Sequence, residues 1–229
     1  MDGLAPEARK GHTATVWKDS LFVFGGVNKE VACADNGIWI FRFAPKDWRK
    51  TETGGASVPA RHSHTAVVYE NSMWIFGGVD QHGNPLGDTY EFDFDRFTWQ
   101  CVVTSKNQAP APRWGHSCTL YGDSMYIFGG RDKTTVFNDC YEFHFNSRSW
   151  NQIHTSGKPP YPRFYHKSAL YDNRIYVLCG RNLTDYFDDF YSIDVETKKW
   201  LKHDIPEEFR LKRYGHTMEV FRDYCVVLG

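Results

Sequence analysis

The sequence predicts an all-β protein built from a repeat of about fifty residues, and three observations carry this prediction. Residues 61–78 read as two strands rich in β-branched and aromatic residues, joined by a tight turn at residues 70–72. An Arg-x-x-His segment recurs, with histidines at positions 12, 64, 116, 166 and 216, in steps of 52, 52, 50 and 50 residues. A glycine doublet ends the second predicted strand of the first three units.

Each full unit holds four predicted strands. The first two strands lie between the histidine and the doublet, and the third strands span residues 38–43, 89–94, 140–145 and 190–195. A tryptophan then opens each fourth strand, nine residues after an aromatic residue of the third strand: Trp48, Trp99, Trp150 and Trp200. That constant offset fixes the register of the third strand against the fourth.

The segments between the strands are of two kinds. Variable polar loops follow the doublets, at residues 27–36, 79–87, 131–138 and 181–188. Proline-containing connectors lead to the next unit, at Pro59, residues 109–112, residues 159–162 and Pro206. Because proline cannot donate to a strand ladder, these connectors are predicted to cross between sheets rather than to form strands. One short helical turn is predicted within residues 203–209.

Together, the four strands, the doublet, the spaced Tyr and Trp and the Arg-x-x-His segment resemble kelch repeats over essentially the whole chain. Cys179 departs from the pattern at the first doublet position of the fourth unit, and Trp39 stands where the other units have Tyr. The resemblance implies a kelch-type β-propeller of four-stranded antiparallel blades, with residues 1–229 as one domain. The repeats are expected at about 9–60, 61–112, 113–162 and 163–212, with a partial fifth at 213–229.

Four full repeats and half of a fifth are fewer than kelch rings usually contain. The chain is therefore expected to be part of a larger, six-bladed ring. An incomplete ring leaves an apolar blade face and a strand edge uncovered, so the isolated chain is expected to self-associate.

Composition excludes several functions. The net charge of −1 gives no global field for nucleic acid or an anionic membrane, and no stretch has the apolar length of a membrane span. The six cysteines have no CxxC spacing and no secretory signal precedes them, which predicts reduced thiols and a cytoplasmic protein. Three of them are expected in buried strands: Cys118, Cys179 and Cys225.

The repeated polar residues are interpreted as structural. The histidines recur once per unit, so they are expected to satisfy backbone groups locally rather than to converge on a metal. The arginines of the same segments are expected to tie neighbouring blades together: Arg9, Arg61, Arg113, Arg163 and Arg213. No catalytic residue, metal site or cofactor is predicted.

Function is expected in what varies between units. The resemblance implies that partners dock on the loops after the doublets and on the loops that lead into the first strands. The candidate partner-binding residues are His62, Ser63, Trp114, Arg131, Lys133, Phe164, Tyr165, Arg181 and Tyr214. Aromatic residues and arginine dominate interface hot spots, although each could instead pack against a neighbouring loop.

The basic candidates suit an acidic or C-terminal-carboxylate peptide. The acidic residues of the same loops could neutralise them: Asp80, Asp132, Asp185 and Asp188.

The predicted function is a protein-interaction module that binds a protein or peptide partner. The units are similar to those of the leucine-zipper-like regulator, a kelch protein that recruits substrates to a cullin-type ubiquitin ligase. The alternative is a scaffold or effector of a membrane-traffic GTPase, as in small all-kelch proteins. A kelch-type enzyme such as a sugar epimerase is the second alternative.

Overall fold

The computed structural model describes residues 5–28, 36–104 and 108–229. The chain divides into two compact units, the first formed by Met1–Val103 with Ala111–Trp114 and the second by Thr104–Pro110 with Gly115–Gly229. Regular structure in the described residues is almost entirely strand, which confirms the predicted all-β fold of four-stranded antiparallel blades.

Unit 1 holds blades 1 and 2. Blade 1 is formed by β1 (Thr13–Trp17), β2 (Ser20–Phe24), β3 (Ile38–Arg42) and β4 (Asp47–Thr51), paired in sequence order. The chain continues through β5 (Gly54–Gly55), β6 (Arg61–His62), β7 (Thr65–Tyr69), β8 (Ser72–Phe76), β9 (Val79–Asp80), β10 (Thr89–Asp93) and β11 (Thr98–Val102). Blade 2 is the sheet β5-β11-β10-β8-β7, and β6 pairs with β9.

Unit 2 holds blades 3 and 4 and a two-stranded sheet. Blade 3 is formed by β12 (Ser117–Tyr121), β13 (Ser124–Phe128), β14 (Cys140–His144) and β15 (Ser149–Ile153). Blade 4 is formed by β16 (Lys167–Tyr171), β17 (Arg174–Leu178), β18 (Phe190–Asp194) and β19 (Trp200–His203). A 3-10 turn at Glu207–Phe209 falls within the predicted segment, and β20 (Thr217–Phe221) pairs with β21 (Tyr224–Leu228).

The chain between blades 1 and 2 contributes a short strand ahead of its proline connector. β5 pairs in parallel with β11, and Ala56 donates its N–H to the Trp99 carbonyl at 2.8 Å. The chain therefore adds a short outer strand to the next blade before it reaches the connector at Pro59, which forms no strand, as predicted. Unit 2 repeats the arrangement with a parallel bridge between Ser156 and Lys199. Glycine serves these segments because their chain lies directly against a strand carbonyl: a Cβ on Gly157 (φ +77°) would lie 2.7 Å from the Trp200 oxygen.

Aromatic rings form the core between adjacent blades. In unit 1 the Trp99 ring of blade 2 lies 5.0 Å from Phe24 of blade 1 and 5.0 Å from Phe92 of its own blade. In unit 2 the Trp200 ring of blade 4 lies 5.0 Å from Phe128 of blade 3. The tryptophan that opens a fourth strand therefore packs against the preceding blade within each unit.

The two-stranded sheet is the least covered element. Its large apolar side chains are mostly exposed, with Phe221 at 63%, Tyr224 at 66% and Leu228 at 67%. The prediction of a buried Cys225 is wrong, because in the described residues β21 pairs only with β20 and Cys225 is exposed. Cys179 is buried as predicted but directly follows β17, and Cys118 is half-buried.

Candidate partner-binding site

The buried arginines of the Arg-x-x-His segments brace the base of the loops. Arg163 has no exposed surface; its Nη1 donates to the Cys179 carbonyl at 2.7 Å, and its Nη1 and Nη2 reach Asp189 at 2.6 and 2.9 Å. Arg61 contacts Asp88 in the same way, at 2.5 and 3.0 Å. These bonds stay within one repeat, so the prediction that the guanidinium groups tie neighbouring blades together is wrong.

The link between blades comes from the backbone carbonyl of the same arginines. Gly130 donates its N–H to the Arg163 oxygen at 2.8 Å, and Gly180 donates to the Arg213 oxygen at 2.9 Å. Gly26 repeats the bond toward Arg61 at 2.9 Å. One arginine therefore makes two kinds of contact. Its side chain hydrogen-bonds within its own blade, and its carbonyl oxygen accepts the N–H of a glycine that follows the second strand of the preceding blade.

The histidines also join blades, so their predicted local role is wrong. His166 Nε2 and Ser117 Oγ share a hydrogen bond of 2.9 Å, and His64 Nε2 and Thr13 Oγ1 share one of 2.8 Å. Each bond reaches the first residue of the first strand of the preceding blade. Burial lowers the pKa of His166 well below its ordinary value, which keeps the ring neutral. Among the described residues, no three His, Cys, Asp or Glu side chains converge as metal ligands would.

Backbone bonds between the Arg-x-x-His segments fix the loops that lead into the first strands. Tyr165 donates its N–H to the Gly115 oxygen at 2.7 Å and accepts from Gly215 at 2.8 Å. Ser63 and Tyr165 have φ of 55° and 54°, at the position where the other repeats have a glycine with positive φ. Two predicted site residues thus place a side chain on backbone that favours glycine, a strain that proteins often retain at functional sites.

The loops after the doublets are rigid for a different reason. In blade 3 the Asp132 carboxylate accepts the N–H groups of Thr134 and Thr135, at 2.8 and 2.6 Å. In blade 4 the Asn182 side-chain oxygen accepts the N–H groups of Thr184 and Asp185, at 2.9 and 2.6 Å. In these turns a side-chain oxygen accepts backbone N–H groups of its own loop. The arginine that precedes each turn therefore has a defined position.

Unit 2 brings five side chains together in what we call the arginine–aromatic stack. The Arg131 guanidinium carbon lies 5.1 Å from the Phe164 ring centre, and that of Arg181 lies 5.4 Å from the same ring. Arg181 also lies 4.8 Å from the Tyr186 ring and 5.5 Å from the Tyr214 ring. Guanidinium groups on aromatic rings are attracted by the ring quadrupole and lose conformational freedom.

The stack contains four of the predicted residues and one that was missed. Phe164 is only 5% exposed; it is the surface on which the arginines lie rather than an exposed contact residue. Tyr214 is exposed, and so is Tyr186, which was not predicted although it is an aromatic residue within the predicted loop. Tyr165 packs against Phe164, with their ring centres 5.2 Å apart.

The other predicted residues lie outside the stack. Arg131 Nη2 donates to the carbonyl of Lys133, whose side chain is exposed. His62, Ser63 and Trp114 belong to unit 1, where all three are half-buried. His62 Nδ1 and Ser63 Oγ share a 3.0 Å hydrogen bond, and burial, with the nearby Lys10 charge, lowers the pKa of His62.

Arg181 has no carboxylate partner among the residues the structure describes. Its Nε donates to the Asn182 carbonyl at 3.0 Å and its Nη1 to the Tyr186 hydroxyl at 3.2 Å. Asp185 does not neutralise it, because that carboxylate accepts from Thr184 Oγ1 and Asn182 Nδ2 within its own turn. These hydrogen bonds lower the pKa of Asp185. Nη2 of Arg181 therefore retains N–H donors for an anion, and the guanidinium lies near three aromatic rings.

Blade 3 also contains a Ser-His-Glu contact. Ser124 Oγ and His144 Nδ1 share a 2.9 Å hydrogen bond, His144 Nε2 lies 3.4 Å from Glu142, and Tyr126 donates to Glu142. Ser124 faces His144 across β13 and β14, and Tyr126 faces Glu142. Ser124 is 2% exposed, so a substrate would not reach its hydroxyl in this arrangement. The four residues act as cross-strand pairs.

No helix of the described chain has the length and apolar character needed to cross a bilayer.

Comparison with known proteins agrees with the repeat architecture. The family model described as the KLHDC2/KLHL20/DRC7 Kelch-repeats domain matches residues 11–229. Kelch domain-containing protein 3 of Bos taurus is 34% identical over 148 residues, covering 62% of this chain and 37% of that protein.

Other similarities extend to proteins of which the match covers a smaller share. The leucine-zipper-like transcriptional regulator 1 homolog of Drosophila melanogaster is 28% identical over 156 residues, covering 66% of this chain and 16% of that protein. The flagellar outer-arm dynein alpha chain of Chlamydomonas reinhardtii is 32% identical over 158 residues, covering 64% of this chain and 4% of that protein. The chain thus spans well under half the length of these relatives.

Proposed function

The chain belongs to the kelch-repeat family, and from that premise we propose that it is a protein-interaction module whose partner docks on the arginine–aromatic stack of unit 2. The observation that carries the proposal is Arg181, a guanidinium held on three rings without a carboxylate partner among the described residues. The positive φ of Tyr165 beside the stack supports the same location.

The chemistry of the stack favours an anionic partner. Arginine forms strong charge-assisted hydrogen bonds with carboxylates, and the Nη2 of Arg181 has N–H donors available for one. Tyr186 and Tyr214 offer exposed ring surface beside it for an apolar side chain of the same ligand. We therefore propose a peptide that carries an acidic side chain or a free C-terminal carboxylate.

Binding of the whole chain to an array of immobilised peptides tests this proposal. Each peptide is presented with a free and an amidated C-terminus, and with acidic residues retained or replaced by their amides. Arg181→Gln should weaken binding of the carboxylate peptides roughly tenfold or more, since hydrogen bonds to charged groups contribute about 1.5–3 kcal/mol. Arg222→Gln is the matched control, because Arg222 also stacks on an exposed ring, 5.3 Å from Phe221, at the turn between β20 and β21.

Two results would contradict the proposal. Equal binding by wild type and Arg181→Gln would remove Arg181 from the site. An equal loss in Arg181→Gln and Arg222→Gln would indicate a general charge effect. Circular dichroism of both variants establishes that the blades remain folded.

We further propose that the module presents its partner to a cullin-type ubiquitin ligase in the cytoplasm. The similarity to the leucine-zipper-like regulator supports the first part, and the free thiols of the five described cysteines are in keeping with the second. Affinity purification of the full-length protein tests the ligase role: a cullin should be recovered with it, and recovery of the partner without any cullin would overturn it.

A further inference from the structure

We propose that Tyr186 is a site of tyrosine phosphorylation, and that its phosphate would bind Arg181 and close the arginine–aromatic stack to anionic partners. The second half rests on the proposed function; the first half and the contact between phosphate and Arg181 do not.

The position of the Tyr186 hydroxyl carries the inference. The residue is 41% exposed on the loop that follows Gly180 of blade 4, so its ring is accessible from solvent. Its hydroxyl already accepts a hydrogen bond from Arg181 Nη1 at 3.2 Å, and its ring centre lies 4.8 Å from that guanidinium carbon. A group attached to this oxygen therefore lies next to the Arg181 guanidinium.

The modification is an ordinary phosphoryl transfer from a nucleoside triphosphate. The bond between the Tyr186 oxygen and the γ-phosphorus forms as the bond to the bridging oxygen of the leaving diphosphate breaks, and the phenol proton passes to the kinase. The product carries a charge of about −1.5 to −2 at pH 7 and three acceptor oxygens.

The phosphate would meet favourable charges. Arg181 has two hydrogen-bond acceptors among the described residues, Asn182 O and Tyr186 Oη, which leaves its Nη2 hydrogens for phosphoryl oxygens. The nearest acid in sequence, Asp185, is held within its own turn by Thr184 and Asn182, and the positive charge of Lys212 also acts on it. Arginine opposite a phosphate forms charge-assisted hydrogen bonds that order a loop.

Tyr214 is the alternative acceptor of the phosphoryl group, and the geometry disfavours it. Its ring is 48% exposed and lies 5.5 Å from the Arg181 guanidinium carbon, but the described structure gives its hydroxyl no hydrogen bond to Arg181. A phosphate on Tyr186 starts beside the guanidinium, because the Tyr186 hydroxyl already accepts from Arg181 Nη1.

The first experiment needs no partner. The folded chain is treated with a broad-specificity tyrosine kinase, and Tyr186→Phe identifies the signal of this residue in the mass spectrum. Phosphate should appear on Tyr186 of the folded wild type. If Tyr186 is modified only after denaturation, the inference is overturned.

The contact itself is read from phosphorus NMR of chain carrying phosphotyrosine at position 186. The second pKa of the phosphate should be lower in wild type than in Arg181→Gln by about half a unit or more, because a nearby cation favours the dianion. Arg222→Gln should match wild type. Equal values in wild type and Arg181→Gln would refute the contact.

Regulation is tested last, with the carboxylate peptides. Phosphorylation of Tyr186 should weaken their binding by the same factor as Arg181→Gln, and should add nothing in the Arg181→Gln background. Unchanged binding after phosphorylation would overturn the regulatory half. If unphosphorylated wild type binds no carboxylate peptide, the proposed function fails, while the NMR result still decides the phosphate contact.

Discussion

A Cβ at the first doublet position of blade 3 should destabilise the chain because of what it would touch. Gly129 has φ +64°, and a Cβ there would lie 2.7 Å from the Arg163 carbonyl oxygen and 3.0 Å from His166 Cε1. Gly122, in the same blade, has φ +59°, and a Cβ there would meet nothing within 4 Å. Gly129→Ala and Gly122→Ala therefore share the backbone strain and differ in the contact.

The structure gives the size of that difference. Left-handed backbone costs alanine about 1–2 kcal/mol, and this applies equally to both variants. At Gly129 the Arg163 oxygen must also move away, although it accepts the Gly130 N–H at 2.8 Å across two blades. Loss of a buried hydrogen bond costs about 1–3 kcal/mol. Gly129→Ala should thus lower the free energy of unfolding by about 1–3 kcal/mol more than Gly122→Ala.

The assay is equilibrium urea unfolding followed by tryptophan fluorescence, together with hydrogen exchange of the Gly130 amide. Gly129→Ala should shift the urea midpoint further and accelerate Gly130 exchange, whereas Gly122→Ala should leave that exchange unchanged. Equal midpoints for the two variants would refute the reasoning, because they would show that the Arg163 carbonyl can yield at no cost.

Three further outcomes are expected. Trp99→Ala should cost about 3–5 kcal/mol in urea unfolding, since its ring packs on two blades; a cost below 1 kcal/mol would contradict this packing. Burial first, then nearby positive charge, lowers the pKa of His216 to about 4, below the ordinary 6.5. Its contribution to stability should therefore be complete above about pH 6.5 and be lost as the pH falls toward 4, because the unfolded ring takes up the proton. His216→Gln should flatten the fall of the urea midpoint over this range, whereas the exposed His154→Gln should not; parallel falls in both variants would count against it. Residues 1–229 expressed alone should self-associate in sedimentation velocity, and Leu228→Lys should reduce the association; a wild-type monomer at all concentrations would contradict this.

The strand pattern could be predicted from sequence because it depends on local chemistry. The constant spacing of the tryptophans predicted a fixed register, and in blade 2 Trp99 does pair with Phe92 across β10 and β11. Side-chain depth at the loops could not be predicted in the same way. Phe164 is buried because Arg131 and Arg181 lie over its ring, and both come from loops remote in sequence.

The partner of the buried arginines was missed for a related reason. Asp88 and Asp189 lie 27 and 26 residues after Arg61 and Arg163, each directly after a segment interpreted as a variable loop. A signal was present, since each aspartate directly precedes a third strand. Blade 1 has a glycine at that point, and Arg9 is correspondingly half-buried, with its Nη1 on the Gly25 carbonyl.

The hydrogen bond from each doublet reaches the arginine of the following repeat. The residues that stabilise one another therefore do not coincide with one sequence repeat. A fragment that stops between Gly180 and Arg213 leaves the Gly180 N–H without the oxygen it uses here. Segments exchanged between equivalent hairpin tips, such as those after β12 and β16, carry both halves of the bond and restore it at each junction. Duplication or loss of a segment that runs from one hairpin tip to the next would therefore change the number of blades, while every junction kept the same hydrogen bond. Propellers of different size can arise from one repeat in this way.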